Sequence, residues 1–228
     1  MLTSVRTPPR SGLGLAFAAL CACASGPRPF PPPVPEVLAR NQAAGDPHAG
    51  RFAYEEAVAG LPEGSRLFAV LDTVAGEIRC QLDPSEAPIA VASFVGLARG
   101  IRPFQDAPEG PWHTAPYYDG LAVHRVQDGE FIQVGRRGTG PGFTLQDEMS
   151  AGHVFDRPGL LALANSGAPH SSAAEFFISI APLTQLKGKH TILGSCDSEE
   201  VVRELARRAL AAPANPPTIR TITIRREP

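Results

Sequence analysis

Between Tyr117 and His190 the chain carries three groups of residues equipped for chemistry: Val123-His124-Arg125 with Phe131-Ile132-Gln133, Ala164-Asn165-Ser166-Gly167 with Phe176-Phe177-Ile178, and Gly188-Lys189-His190. They combine one permanently charged guanidinium with apolar rings, side-chain amides and glycine turns. The stretch holds no activated nucleophile, metal cluster or cofactor loop. A site built this way suits chemistry that breaks no covalent bond.

Other chemistries are excluded by spacing. The 6 histidines are dispersed, and neither His-x-x-x-His nor paired Cys-x-x-Cys occurs, so no metal site is expected. Gly138 to Gly142 is glycine-rich, but Pro141 removes an amide that a phosphate cradle would use, and no dinucleotide fingerprint surrounds it. It reads as a turn, and no cofactor is expected. There is no Gly-x-Ser-x-Gly elbow of a serine hydrolase. A net charge of -2, a pI near 6.3 and scattered arginines argue against nucleic acid as a partner.

The elements that must position these residues follow from periodicity. With 228 residues and a 43% hydrophobic share, the chain has room for one packed domain and an appendage. The domain is expected over residues 66–228. Leu67 to Thr73 and Glu77 to Asp83 form a predicted hairpin around Gly76, with Ile78, Cys80 and Leu82 facing inward. Pro88, the stripe of Val91, Phe94, Val95 and Ala98, and the terminator Gly100 predict a helix packed on that sheet. A proline-rich loop from Ile101 to Pro116 carries the only tryptophan, Trp112. A second helix is signalled by Asp197 as cap, Glu200 after it, and Arg203, Arg207 and Arg208 toward its end. Thr218 to Arg225 alternates as a closing strand. Many strands with two helices predict a mainly β barrel capped by helices. Cys80 and Cys196 stand at inward strand positions, where buried free thiols are the default and a disulfide stays open.

The amino terminus reads as an address. Arg6 and Arg10 precede the apolar run Leu13 to Leu20, which is far short of the roughly 20 residues a membrane span needs. Residues 1–24 are therefore expected to be an export signal. Leu20-Cys21-Ala22-Cys23 resembles a bacterial lipobox and predicts lipidation of Cys23, while Ala22-Cys23-Ala24 fits simple cleavage after Ala24. Either reading places the domain in the periplasm or cell envelope, with a membrane tether in the first. Residues 25–65 open with Pro27-Arg28-Pro29-Phe30-Pro31-Pro32-Pro33-Val34-Pro35, which favours extended polyproline II over a packed element. They are expected to be a tether and a weakly ordered extension, with at most a short helix around Arg51 to Ala59.

From about Leu67 to Arg225 the chain resembles the cyclophilin-type peptidyl-prolyl cis-trans isomerases, in their bacterial branch. The resemblance rests on the hairpin and helix, Tyr118-Asp119-Gly120, His124-Arg125, Gln133, Gly138-Thr139-Gly140-Pro141-Gly142, Ala164-Asn165-Ser166-Gly167, Phe176-Phe177-Ile178 and Gly188-Lys189-His190, in that order and spacing. It implies a closed antiparallel eight-stranded barrel capped by two helices, acting as a monomer on proline-containing segments of folding proteins. It implies that Arg125 is the catalytic arginine and that Gln133 orients it. It implies further that Ala164 and Asn165 pair with the peptide backbone, and that Phe131, Phe177, Leu186 and His190 line a cup for the proline ring.

The chain departs from the family pattern in places. Glu130 falls where a phenylalanine usually floors the cup, Glu175 replaces a glutamine, and Gln185 stands where an aromatic residue is common. The segment Ala168 to Ala174 is one residue longer than usual. These departures predict reduced turnover and weak binding of the family's cyclic-peptide drug. They also leave an alternative function, a groove that binds proline-containing segments as a chaperone or scaffold without catalysis.

Overall fold

The computed structural model describes residues 30–149 and 154–228, so the expected export signal over residues 1–24 and the expected lipidation site Cys23 lie outside the described residues. Along the chain the elements are α1 (Pro35–Ala43), α2 (Tyr54–Val58), β1 (Arg66–Thr73), β2 (Gly76–Leu82), α3 (Pro88–Ala98), β3 (Arg125–Gln127), β4 (Phe131–Val134), β5 (Leu160–Leu163), β6 (Phe176–Ser179), β7 (Ile192–Cys196), α4 (Glu199–Ala211) and β8 (Ile219–Glu227). The strands make one eight-stranded sheet in the order β3-β4-β6-β5-β7-β2-β1-β8, with every pairing antiparallel. The expected hairpin is β1 and β2, and the expected closing strand is β8, which adds to the far edge of β1.

Two features of the predicted barrel need correction. The sheet curls, but no continuous ladder closes it. Its outer strands β3 and β8 meet only where the chain runs into them, through the isolated bridge Ala122↔Thr218 and flanking bonds such as Val123 N–H to Pro217 O at 2.9 Å. The described residues also hold four α-helices rather than two. The additional ones come from the segment that the sequence presents as weakly ordered: α2 falls within the short helix allowed around Arg51 to Ala59, whereas α1 was not expected.

Tertiary contacts order that segment. Prolines cannot donate, so the extended stretch before α1 is held by the side-chain amide of Gln146, which donates to Pro32 O at 3.2 Å and accepts from Val34 N–H at 3.3 Å. Asn41 does the same for Thr144, donating to its carbonyl at 2.8 Å and accepting its N–H at 2.9 Å. Phe52 is fully buried, and it approaches α3 where Gly96 has no side chain; a Cβ there would stand 2.6 Å from the Phe52 ring. This explains why α3 is buried on all faces rather than on the one predicted stripe. The sheet covers one side and the amino-terminal arm the other.

The arm is locked by a buried ion pair. Asp46 and Arg102 have fully buried side chains 3.3 Å apart, and Asp46 also accepts Gly50 N–H at 2.5 Å and His48 N–H at 3.1 Å. Burial pulls Arg102 down to about 10, against the upward pull of Asp46. The guanidinium lies 3.8 Å from the Phe143 ring centre, while its Nε and Nη1 find no acceptor among the described residues.

Local capping also differs from expectation. The first amides of α3 are capped from a distance by Glu148, which accepts Ile89 N–H at 3.1 Å and Ala90 N–H at 2.8 Å. Asp197 does not cap α4. Ser198 holds the cap position and turns its hydroxyl toward Asp197 and the Arg79 amide instead. Cys80 and Cys196 are direct partners in the β2–β7 ladder and are joined in a disulfide, not left as free thiols. Sequence could not reveal that register, which sets the two residues opposite each other across 116 positions.

Because removing one member of a buried pair strands the other charge, Asp46→Ala should cost about 3 to 5 kcal/mol of stability, measured by urea unfolding. An unchanged midpoint would show that the arm contributes little to the fold.

Candidate active site

Alternation along the central strands gives the sheet two apolar faces. Ile132, Val134, Phe176, Ile178, Leu161 and Leu163 point into the main core, while Phe131, Gln133, Phe177, Leu160 and Ala162 point to the other side. Register then aligns one row on that second face. Arg125 on β3 is opposite Gln133 on β4, Gln133 is opposite Phe177 on β6, and Phe177 is opposite Ala162 on β5. Residues as far apart along the chain as Arg125 and Phe177 are thereby brought onto a single surface of rigid strands.

The polar end of the row is a chain of hydrogen bonds. Arg125 is exposed, and its Nη1 donates to Gln133 Oε1 at 3.4 Å while its Cζ lies 5.1 Å from the centre of the Phe131 ring. Gln133 is buried and donates its Nε2–H to Glu175 at 2.6 Å. Glu175 also accepts from Arg136 Nε at 3.2 Å. His124 Nε2 lies 3.1 Å from the same carboxylate, an ion-pair distance but outside the angle of a well-formed hydrogen bond. Partial burial alone would raise the Glu175 pKa, yet the nearby His124 ring and the donors Gln133 and Arg136 outweigh it and hold the carboxyl at about 2.

The apolar end is a small aromatic cup. Phe177 meets Phe131 at 5.3 Å in a tilted pair, stacks on Phe155 at 5.8 Å, and meets His190 edge-on at 5.2 Å. Leu183 and the half-buried Leu186, Ala164 and Phe131 complete this second apolar cluster. His190 Nδ1 is 3.0 Å from Leu163 O, and since a carbonyl only accepts, the ring proton sits on Nδ1. Burial, with Lys189 adding to it, pulls the His190 pKa below 6.5 against the Leu163 bond. The imidazole is a neutral wall near pH 7.

All the predicted site residues among the described residues gather here, with two adjustments. The Ala164 amide is already donated to Glu175 O at 2.8 Å, and the Asn165 side chain is engaged by Lys189 O at 2.7 Å and Gly167 N–H at 3.1 Å. What this segment offers a peptide is therefore the main chain of Asn165 and the Ala164 carbonyl. Glu130 does not floor the cup. It belongs to the β3–β4 turn, where Gly129 has φ +71°, and its carbonyl accepts Ile180 N–H at 2.6 Å. Phe131, opposite Gln127 in the ladder, faces the Arg125 side without any bulge. Phe155, fully buried behind Phe177, was not anticipated, because nothing in the spacing of His153-Val154-Phe155 distinguishes it from a loop residue.

A separate concavity of about 530 Å³, lined by residues including Arg66, Gln81, Arg157 and Arg226, shares none of Arg125, Gln133, Phe131 or Phe177. The row itself runs across β3, β4, β6 and β5, from the exposed Arg125 to the buried Ala162, and is called the groove below.

A family model described as cyclophilin type peptidyl-prolyl cis-trans isomerase/CLD matches residues 68–226, from within β1 to within β8. The chain belongs to the cyclophilin-type peptidyl-prolyl cis-trans isomerases. It is 40% identical over 161 residues to peptidyl-prolyl cis-trans isomerase B of Streptomyces anulatus, covering 69% of this chain and 91% of that one. To peptidyl-prolyl cis-trans isomerase A of Mycobacterium tuberculosis it is 39% identical over 168 residues, covering 68% and 91%. A crystal structure of a Cryptosporidium parvum cyclophilin in the presence of the dipeptide Ala-Pro matches with a TM-score of 0.58 at 25% identity, covering 69% of this chain and 98% of that one. The cyclophilin match begins after the arm, so α1 and α2 are an addition to the family domain in this chain.

The titratable groups of the cyclophilin groove set its pH response. With Glu175 ionised far below neutrality and His190 neutral above 6.5, turnover of a proline peptide should be level from pH 7 to pH 8. Protonating His190 puts a charge on the cup wall, so KM should rise as pH falls below 6.5, as measured by exchange spectroscopy. A constant KM through that range would remove His190 from the cup.

Proposed function

We propose that the protein catalyses cis-trans rotation of X-Pro amides in proteins folding outside the cytoplasm, with Arg125 as the catalytic donor and Gln133 as its support. The observation that carries this reading is the register that puts the exposed guanidinium of Arg125 and the cup of Phe131, Phe177 and His190 on one face. Rotation must pass a barrier of about 18 to 20 kcal/mol, because the amide bond has partial double-bond character. In the twisted state that conjugation is lost and the prolyl nitrogen gains a lone pair. A fixed cation that donates to it stabilises the twisted state over both planar ones.

The cup holds the proline ring, and the planar fork of Arg125 can reach both that nitrogen and the carbonyl beside it. The main chain of Asn165 serves the rest of the peptide as a short strand partner. We take a monomer as the working form. The Cryptosporidium cyclophilin studied with Ala-Pro supports a proline-containing peptide as the ligand class.

Two features support action outside the cytoplasm. One is the apolar address of residues 1–24. The other is the Cys80–Cys196 disulfide, a bond that persists in oxidising compartments.

Arg125→Ala should leave the circular dichroism spectrum unchanged and lower catalysed exchange of a short Ala-Pro peptide by about 10² to 10³-fold, the usual loss for one transition-state donor. Equal rates for the two proteins would take Arg125 out of the mechanism. No catalysis by either would leave the groove as a binding module. An intact mass of the mature amino terminus should find either a lipidated Cys23 or a free Ser25. A chain still beginning at Met1 would count against export.

A further inference from the structure

Glu175 is the point at which the groove's polar chain departs from the family pattern, and it occupies a junction. Its side chain accepts Gln133 Nε2–H at 2.6 Å and Arg136 Nε–H at 3.2 Å, and its main-chain oxygen accepts Ala164 N–H at 2.8 Å. One residue thus holds the support of Arg125 on β4 and the start of the peptide-pairing segment after β5. Strand β4 passes it closely: a Cβ on Gly135 would stand 2.7 Å from Ala174 O and 3.0 Å from Glu175 Cα.

We propose that Glu175 is a positioning residue, whose carboxylate selects one orientation of the Gln133 amide and so presents Arg125 to substrate in a single arrangement. The proposal rests on the reading of Arg125 as the catalytic donor. Its basis is donor and acceptor chemistry. A side-chain amide has two nearly isosteric ends, and a buried one such as Gln133 can be packed equally well either way round. Its neighbours here leave no choice. Arg125 only donates, so the end facing it must be the oxygen. Ionised Glu175 only accepts, so the end facing it must be the NH2 group. The two requirements coincide, and the observed contacts match them.

A glutamine at 175 would satisfy Gln133 in both orientations, offering it an oxygen or an NH2 group. In the flipped orientation Gln133 would turn its NH2 group toward the guanidinium, donor against donor, and Arg125 would move away. The carboxylate removes that second state. The charged and titratable groups that bear on it are His124 ahead of β3, Arg136 beyond β4 and Tyr117 on the loop before β3. Glu175 was expected from sequence to weaken the site, yet its charge is matched by donors from several directions.

The test is Glu175→Gln in the full chain. Turnover should fall about three- to tenfold, the range of one net hydrogen bond, with little change in KM for an Ala-Pro peptide. The Arg125 Nε–H resonance should be single in the wild-type protein and should broaden or double in the variant, while the unfolding midpoint stays the same. Unchanged turnover and a single Arg125 resonance in the variant would overturn the proposal. The resonance is read without substrate, so it reports on positioning even if the wild-type protein proves inactive. Catalytic failure with the predicted spectral change would strike the isomerase reading alone.

Discussion

The register of β3 against β4 is the constraint on which the groove depends. Side chains alternate along a strand, so the pairing of Arg125 with Gln133 decides that Arg125, Phe131, Gln133 and Phe177 share one face. A slip by one residue would turn the guanidinium toward the core and put Val126 and Ile132 in the groove. The three-residue turn Asp128-Gly129-Glu130 sets this register, with Gly129 in the left-handed region and Glu130 tied by its carbonyl to Ile180. Glu130 therefore matters through its main chain. Its carboxylate belongs to the turn and not to the cup.

Behind the groove, the sheet is held in shape from two sides. One apolar cluster fills the inside of the curl around Phe94, Tyr118 and Phe176, whose rings meet at 5.2 to 5.5 Å. The amino-terminal arm covers the outer side of α3 through Phe52 and the Asp46–Arg102 pair. The same arm reaches the far end of the groove's loop, where Arg40 on α1 donates to Thr144 Oγ1 and to His170 O. His170 in turn contacts Asp147, and it closes the segment that starts at Asn165. Packing of the arm and shape of the peptide-pairing loop are thus parts of one connected structure.

The polar chain shows how a substitution that looks adverse in isolation can be accommodated. A carboxylate beside a catalytic arginine would ordinarily compete with substrate for it. In this groove Gln133 stands between the two, and the charge of Glu175 is matched by Arg136, with His124 Nε2 3.1 Å away. The charge therefore acts on the orientation of an amide rather than directly on Arg125.

The sequence by itself determined the strand hairpin, the helix from Pro88 and the closing strand, and it named Arg125, Gln133, Phe131, Phe177 and His190 but not Phe155, because each of these is written in local alternation, in glycine and proline positions or in a motif of fixed order. It also pointed to chemistry without bond cleavage, through the residue types present. Tertiary structure decided what depends on partners distant along the chain. The arm is ordered by Gln146, Asn41 and a buried charge pair, none of which leaves a periodic trace in residues 25–65. The two cysteines are joined because β2 and β7 run side by side, and α3 is capped by a glutamate some 58 residues away from Ala90. The effect of Glu175 followed the same rule: its residue type was visible in the chain, while its consequence depended on which donors the fold turned toward it.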